Sequence, residues 1–266
     1  MTSPDNLAST VAQGFGLELD RRPPRQGYDV NLAANTPEGN LVQVMFGRRH
    51  EFPYFNFTGG AARLGADIMR TEYEGEHRVA EAHACYDLDA GRGTFDQITK
   101  IAQEVAKVYR AALEPKGDWF YRMEGCTLYV GSTKSRFFIR IYEKGLEQIG
   151  KLIAAGRHSE IADISQHWVR IECVCQPRTK DKGWAATATA DELFGYGRTG
   201  RDLVERVRGI AVPARSQYIR PVDDFEKSEY HMMKQWRRIL SELAVREGEN
   251  MATYTLDYLK RLDREH

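Results

Sequence analysis

Apolar and polar positions alternate along FFIRIY: Phe137, Ile139 and Ile141 take one side of an extended chain, and Phe138, Arg140 and Tyr142 take the other. Successive side chains of a strand point to opposite faces, so Arg140 and Tyr142 share one. Lys144 follows in step if the strand continues. The longer segment Gly125 to Gln148, GCTLYVGSTKSRFFIRIYEKGLEQ, reads as two short strands around a polar turn. GYDVNLAA and LVQVMFG flank TPEGN and predict a β-hairpin, and HEFPYFNFTGG predicts another short strand. Ala61 to Met69 has helical spacing after Gly59-Gly60. A strand over 78–88 precedes an amphipathic helix over 96–113, with Ile98, Ile101, Val105 and Val108 on one face and Thr94 as its N-cap. A short helix over 147–155 and a strand over 168–175 complete this part.

From Ala186 the spacing turns helical, over 191–194, 203–207, 229–245 and 254–262. The pattern predicts an α+β fold: roughly six strands in a mainly antiparallel central sheet with helices on one face, and a helical C-terminal region. The predicted organisation is a polar N-terminal tail over 1–26, a catalytic domain over 27–185 and the helical region over 186–266.

Composition narrows the class. The 266 residues suffice for one large domain or a domain with a helical appendage. No apolar run approaches the ~18 residues a membrane span needs, and residues 1–20 lack the pattern of a signal peptide. Four cysteines without CxxC or zinc spacing read as reduced, largely buried thiols of a cytoplasmic protein. Net charge is zero, 38 basic against 38 acidic residues, which disfavours a protein that coats DNA by bulk charge. Basic clusters remain at 48–50, 134–140, 178–182 and 206–220, each readable as a solvated face or a binding patch.

The candidate chemistry centres on Tyr142. A phenol flanked by Arg140 and Lys144 suits attack on a phosphodiester, because the cations lower the cost of phenolate and hold phosphate. The same spacing fits an ordinary half-buried tyrosine in a hairpin, and Tyr86, Tyr121 and Tyr129 are rival nucleophiles. Such an attack needs a divalent cation, and hard oxygen ligands suit Mg²⁺ or Mn²⁺. Alternation puts His83, Cys85 and Asp87 on one strand face, and Arg170 and Glu172 on another. His83, Asp87 and Glu172 are therefore candidate metal ligands, with Asp89 replacing Asp87 if the register slips. Plainer roles are a hydrogen-bonded sheet histidine, a turn cap and a cross-strand partner of Arg140 or Arg170.

Thr127-Leu128-Tyr129, Gly131-Ser132, Ser135, Phe138, Arg140-Ile141-Tyr142-Glu143-Lys144-Gly145 and Glu147-Gln148 together resemble the signature of the replication initiation factor (Rep_trans) family. These are rolling-circle initiators of small plasmids and filamentous phages, with related relaxases. Weaker matches extend over residues 28–175. The resemblance implies a metal-assisted nickase that cuts and rejoins one strand at an origin through a phosphotyrosyl intermediate. It names Tyr142 as nucleophile, Arg140 and Lys144 as phosphate clamps, and Glu172 as first among the ligands. The family pattern RxDxxxD keeps Asp87 here but has Glu81 and His83 as departures. Lys134, Arg136 and Arg170 are candidates for contact with DNA, and 178–182 for phosphate. The implied partners are single-stranded or hairpin origin DNA, a host helicase (the sequence has no GxxxxGK[ST] motif) and a second copy of the chain as a homodimer. A mobilisation relaxase and a non-catalytic DNA-binding protein are the alternatives.

Overall fold

The computed structural model describes residues 4–37, 39–47, 50–120 and 125–213, with isolated helical positions at 239, 242, 245 and 246. The chain divides into two units, Met1–Arg215 and Ser216–His266. The helices expected over 229–245 and 254–262 lie almost wholly outside the described residues, as does Tyr121.

In the first unit the elements run α1 (Pro4–Phe15), β1 (Asp20–Arg21), β2 (Val30–Asn35), β3 (Leu41–Gly47), β4 (His50–Phe57), α2 (Ala61–Glu72), β5 (Ala82–Leu88), α3 (Thr94–Tyr109) and β6 (Leu113–Gly117). There follow β7 (Cys126–Val130), β8 (Phe137–Glu143), α4 (Lys144–Ala154), β9 (Val169–Cys175), α5 (Lys182–Thr187), α6 (Ala190–Phe194) and α7 (Arg198–Arg208). The fold is α+β and its strands pair antiparallel, but in two sheets rather than one central sheet. One has the order β1-β2-β3-β4 and the other β5-β9-β8-β7-β6. Arg70 of α2 links the two layers, donating to the carbonyls of Ala186 and Ala188 at 2.8 and 3.0 Å.

The larger core lies on one face of the five-stranded sheet. Leu128, Val130, Ile139, Ile141, Ile171 and Cys173 meet Phe95, Ile98, Ala102 and Val105 of α3, together with Phe194, Leu203 and Val204. The boundary expected at 185/186 therefore cuts through a shared core. Helices α6 and α7 bury their apolar stripes against the sheet instead of forming a separate region. The expected tail also departs from its polar reading: α1 places Ala8 and Val11 against Val42, Val44 and Phe46. Pro4 opens α1, where its missing N–H costs nothing. Gly16, at φ 61°, ends the helix, with Leu17 N donating to the Ala12 carbonyl at 3.0 Å.

Smaller differences have local causes. Gly93, not Thr94, caps α3; the Thr94 hydroxyl donates back to the Gly91 carbonyl at 2.7 Å. Strand β6, unanticipated, is an exposed edge strand that contains Pro115, a residue tolerated only where the ladder ends. Strand β8 stops at Glu143, so Lys144 opens α4 rather than extending the strand. The turn there depends on Gly145, which is buried, donates to the Trp168 carbonyl at 2.9 Å, and lies where any Cβ would collide with the Ser165 carbonyl.

Candidate active site

The helices cover one face of the five-stranded sheet, and the polar faces of its strands converge on the other. Register sets the rows. Tyr129 pairs with Arg140, and Arg140 with Glu172, which lies opposite Cys85. The next row runs Thr127, Tyr142, Arg170, Asp87. His83 stands opposite Val174, one step beyond Cys85 on β5. Residues opposite one another in an antiparallel pair project to the same side, so the alternation read from sequence brings Tyr142, Arg140, Glu172, His83, Arg170 and Asp87 onto one surface.

Glu172 is the hub. Its side chain is only 8% exposed. Oε1 accepts from Arg140 at 2.5 Å and faces His83 Nδ1 at 2.6 Å, while Oε2 accepts from the Tyr142 hydroxyl at 3.1 Å. Burial alone would raise this carboxyl. The hydrogen bonds and charges of His83 and Arg140 outweigh burial and pull it down to about 2. His83 is raised in turn, chiefly by its bond to Glu172. The Nε–H of Arg140 is buried without a hydrogen-bond partner, an unfilled donor beside the tyrosine.

Tyr142 departs from expectation. Burial, then the negative charge of Glu172, raises its phenol above the ordinary value. Arg140 and Lys144 do lie near its ring, at 5.8 and 5.6 Å. Both cations are already committed, however: Arg140 to Glu172, and Lys144 to Glu147 at 2.6 Å. The resting site holds Tyr142 as a neutral phenol.

The three candidate metal ligands are not gathered equally. Glu172 and His83 touch. Asp87 instead grips Arg170 through both carboxylate oxygens, at 2.6 and 2.8 Å, and accepts from Trp168 Nε1 at 2.8 Å. Among the described residues, no three His, Cys, Asp or Glu side chains are gathered to hold a metal ion. A carboxylate and an imidazole in contact still fit Mg²⁺ or Mn²⁺, which commonly take few protein ligands and fill the remainder with water and phosphate. Lys134 and Arg136 lie exposed in the turn between β7 and β8. A cavity of about 340 Å³ adjoins Asp87, Asp89 and Asp163, an acidic lining that repels phosphate.

Four participants were not among the expected site residues. Glu147 and Trp168 neutralise or anchor neighbours and left no periodic signal. Glu81 and Gln176 did leave one, since each continues the two-residue step of His83 and of Glu172. Glu81 Oε1 faces His83 Nε2 at 2.9 Å, and Gln176 donates to Glu81 Oε2 at 2.7 Å.

Comparison with known proteins matches residues 68–260 to the family described as replication initiation factor, Rep_trans. Among solved structures the chain is similar to a rolling circle replication initiator protein from Geobacillus stearothermophilus. Identity is 17% and the TM-score 0.48, over 77% of this chain and 89% of that one. No curated protein matches. No helix among the described residues is long and apolar enough to cross a membrane.

Proposed function

This chain belongs to the replication initiation factor family, and on that premise we propose that it nicks and rejoins one DNA strand at a rolling-circle origin, with Tyr142 as nucleophile. One observation carries the reading. The Tyr142 hydroxyl is held 3.1 Å from a buried carboxylate, Glu172, on an open sheet face, beside an Arg140 with a spare buried donor. An ordinary core tyrosine needs no such surroundings.

In the proposed reaction the Tyr142 oxygen bonds to phosphorus and the bond from phosphorus to the 3′ oxygen breaks. A 5′-phosphotyrosyl link forms, and the phenolic proton ends on the 3′-hydroxyl. That hydroxyl primes synthesis, and the reverse exchange rejoins the strand. Arg140 stabilises the charge that builds on the phosphate through its unfilled Nε–H, and Lys144 adds to the field from the start of α4. Arg170, aligned by Asp87, borders the same surface. Glu172 and His83 would hold Mg²⁺ or Mn²⁺, which when bound polarises the scissile phosphate. Asp87 joins them only by releasing Arg170. Single-stranded or hairpin origin DNA is the substrate under this reading, with strand separation by a host helicase and a homodimer supplying a second tyrosine.

The test incubates protein with a single-stranded origin oligonucleotide and Mn²⁺ or Mg²⁺, then runs a denaturing protein gel. A covalent adduct is expected that disappears in Tyr142→Phe and with chelator. DNA binding without any adduct would overturn the nickase reading. An adduct persisting in Tyr142→Phe would move the nucleophile, with Tyr129 next in line.

A further inference from the structure

The row that runs from Tyr142 through Arg170 to Asp87 ends at the cavity of about 340 Å³. Neighbouring strands lie about 4.8 Å apart, so the cavity opens roughly 10 Å across the sheet from Tyr142. Its volume falls in the range of small-ligand clefts, roughly 300–1,000 Å³, but its lining is not that of a phosphate site. Leu88 and Ile164 are apolar, and Trp168 adds an indole. That ring is held by two neighbours: its Nε1–H donates to Asp87 at 2.8 Å, and the Arg170 guanidinium lies 5.4 Å from its centre. Asp89 and Asp163 also line the cavity, and among the described residues their carboxylates have no hydrogen-bond or salt-bridge partner.

We infer that this cavity is a base pocket. It takes one unstacked nucleobase of the strand held at Tyr142, stacks it on Trp168, and selects a base with an exocyclic amine (cytosine, adenine or guanine) against thymine. This rests on the reading that Tyr142 acts on single-stranded DNA. Every base has a π-face that stacks on an aromatic ring, and a base drawn out of its stack is read by hydrogen bonds to its Watson–Crick edge. Ionised carboxylates only accept hydrogen bonds. They pair with an amino group and oppose the carbonyl oxygens that thymine presents in its place. Charge also sets the register of the strand. Asp89 and Asp163 keep phosphate out of the cavity, while Arg170, between the cavity and Tyr142, attracts it. The backbone therefore follows the cations, and the base of a nucleotide near the scissile phosphate enters the cavity.

The experiment measures equilibrium binding of the full chain to the single-stranded origin oligonucleotide, with chelator present so that no strand is cut. Each nucleotide in turn is replaced by the other three bases and by an abasic site. At one position wild type should bind the abasic and thymine strands about tenfold more weakly than the best amino-bearing strand. Trp168→Leu should abolish the abasic penalty at that position alone, and Trp168→Phe, which keeps a ring, should restore it. Asp89→Asn with Asp163→Asn, both at exposed positions, puts amide donors beside the base and should bring thymine level with the others. The ratio between bases is what is read, because removing two negative charges strengthens binding of every strand. The inference is overturned by an equal penalty at every position, by a preference for thymine, or by a base preference unchanged in both the Trp168→Leu and the double Asn variants, even where the covalent adduct forms. Absence of the adduct despite this base preference would sink the nickase reading and leave the pocket standing. No binding of any strand by wild type would sink both.

Discussion

Replacing Glu172 by Gln separates what this carboxylate does for the fold from what it does for chemistry. The side chain keeps its shape and its acceptor oxygen, but loses the charge that Arg140 and His83 surround. The carboxyl titrates at about 2 in the folded chain against 4.5 ordinarily. At 1.36 kcal/mol per pH unit, that difference is worth about 3 kcal/mol of folding stability. The figure agrees in scale with the ~3–5 kcal/mol lost when one partner of a buried pair is removed. Because the folded-state value is depressed, the stabilisation is complete above about pH 4.5 and fades as pH falls through about 2. Urea unfolding of wild type and Glu172→Gln at several pH values should thus show a gap of about 3 kcal/mol at neutral pH. The gap should close progressively in acid, where the wild-type carboxyl is protonated too. A gap that does not change with pH, or one near zero at neutrality, would refute the reasoning, since both follow from a single charge.

Two further outcomes are expected. Gly145→Ala gains about 1 kcal/mol of helix propensity, yet its methyl meets the Ser165 carbonyl. Overpacking against backbone costs about 1–3 kcal/mol, so thermal unfolding should show net destabilisation, and unchanged stability would mean that the loop yields freely. Lys134→Ala with Arg136→Ala should weaken single-stranded DNA binding evenly across sequences. The slope of log affinity against log salt should drop by about 0.7 per lost phosphate contact, and an unaltered slope would place the DNA elsewhere.

What was legible in the sequence follows from range of interaction. Alternation is local, so the face shared by Arg140 and Tyr142 and that shared by His83 and Asp87 were readable from neighbouring residues. Which strand lies beside which depends on contacts distant in sequence, such as Tyr142 opposite Arg170 and Glu172 opposite Cys85. The pairing choice was equally hidden. Asp87 has the composition of a ligand, but Arg170 and Trp168 occupy both its oxygens. Lys144 has the composition of a phosphate clamp, but Glu147, one helical turn on, claims it. Helix α1 was obscured because its apolar stripe is short: Leu7, Val11 and Phe15 are the main large apolar side chains, and their partners lie far along the chain, in β3, β4 and α2. Edge strand β6 carries a proline and no buried residue, so no periodic signal marked it.

The raised phenol of Tyr142 has a consequence for when the site is armed. Glu172 both accepts its proton in a hydrogen bond and, after burial, contributes most to keeping it protonated. A carboxylate whose charge is matched by a divalent cation repels phenolate far less, so the group proposed to hold the ion is also the group that restrains the nucleophile. Tyrosine ultraviolet titration, taken as the difference between wild type and Tyr142→Phe, should then show Tyr142 ionising at lower pH when Mg²⁺ is present than when it is removed. If Mg²⁺ binds and the titration does not move, Glu172 is not where the ion meets the tyrosine. If it moves, resting Tyr142 is kept neutral by the same carboxylate that releases it on ion binding, which limits covalent attack to the loaded site.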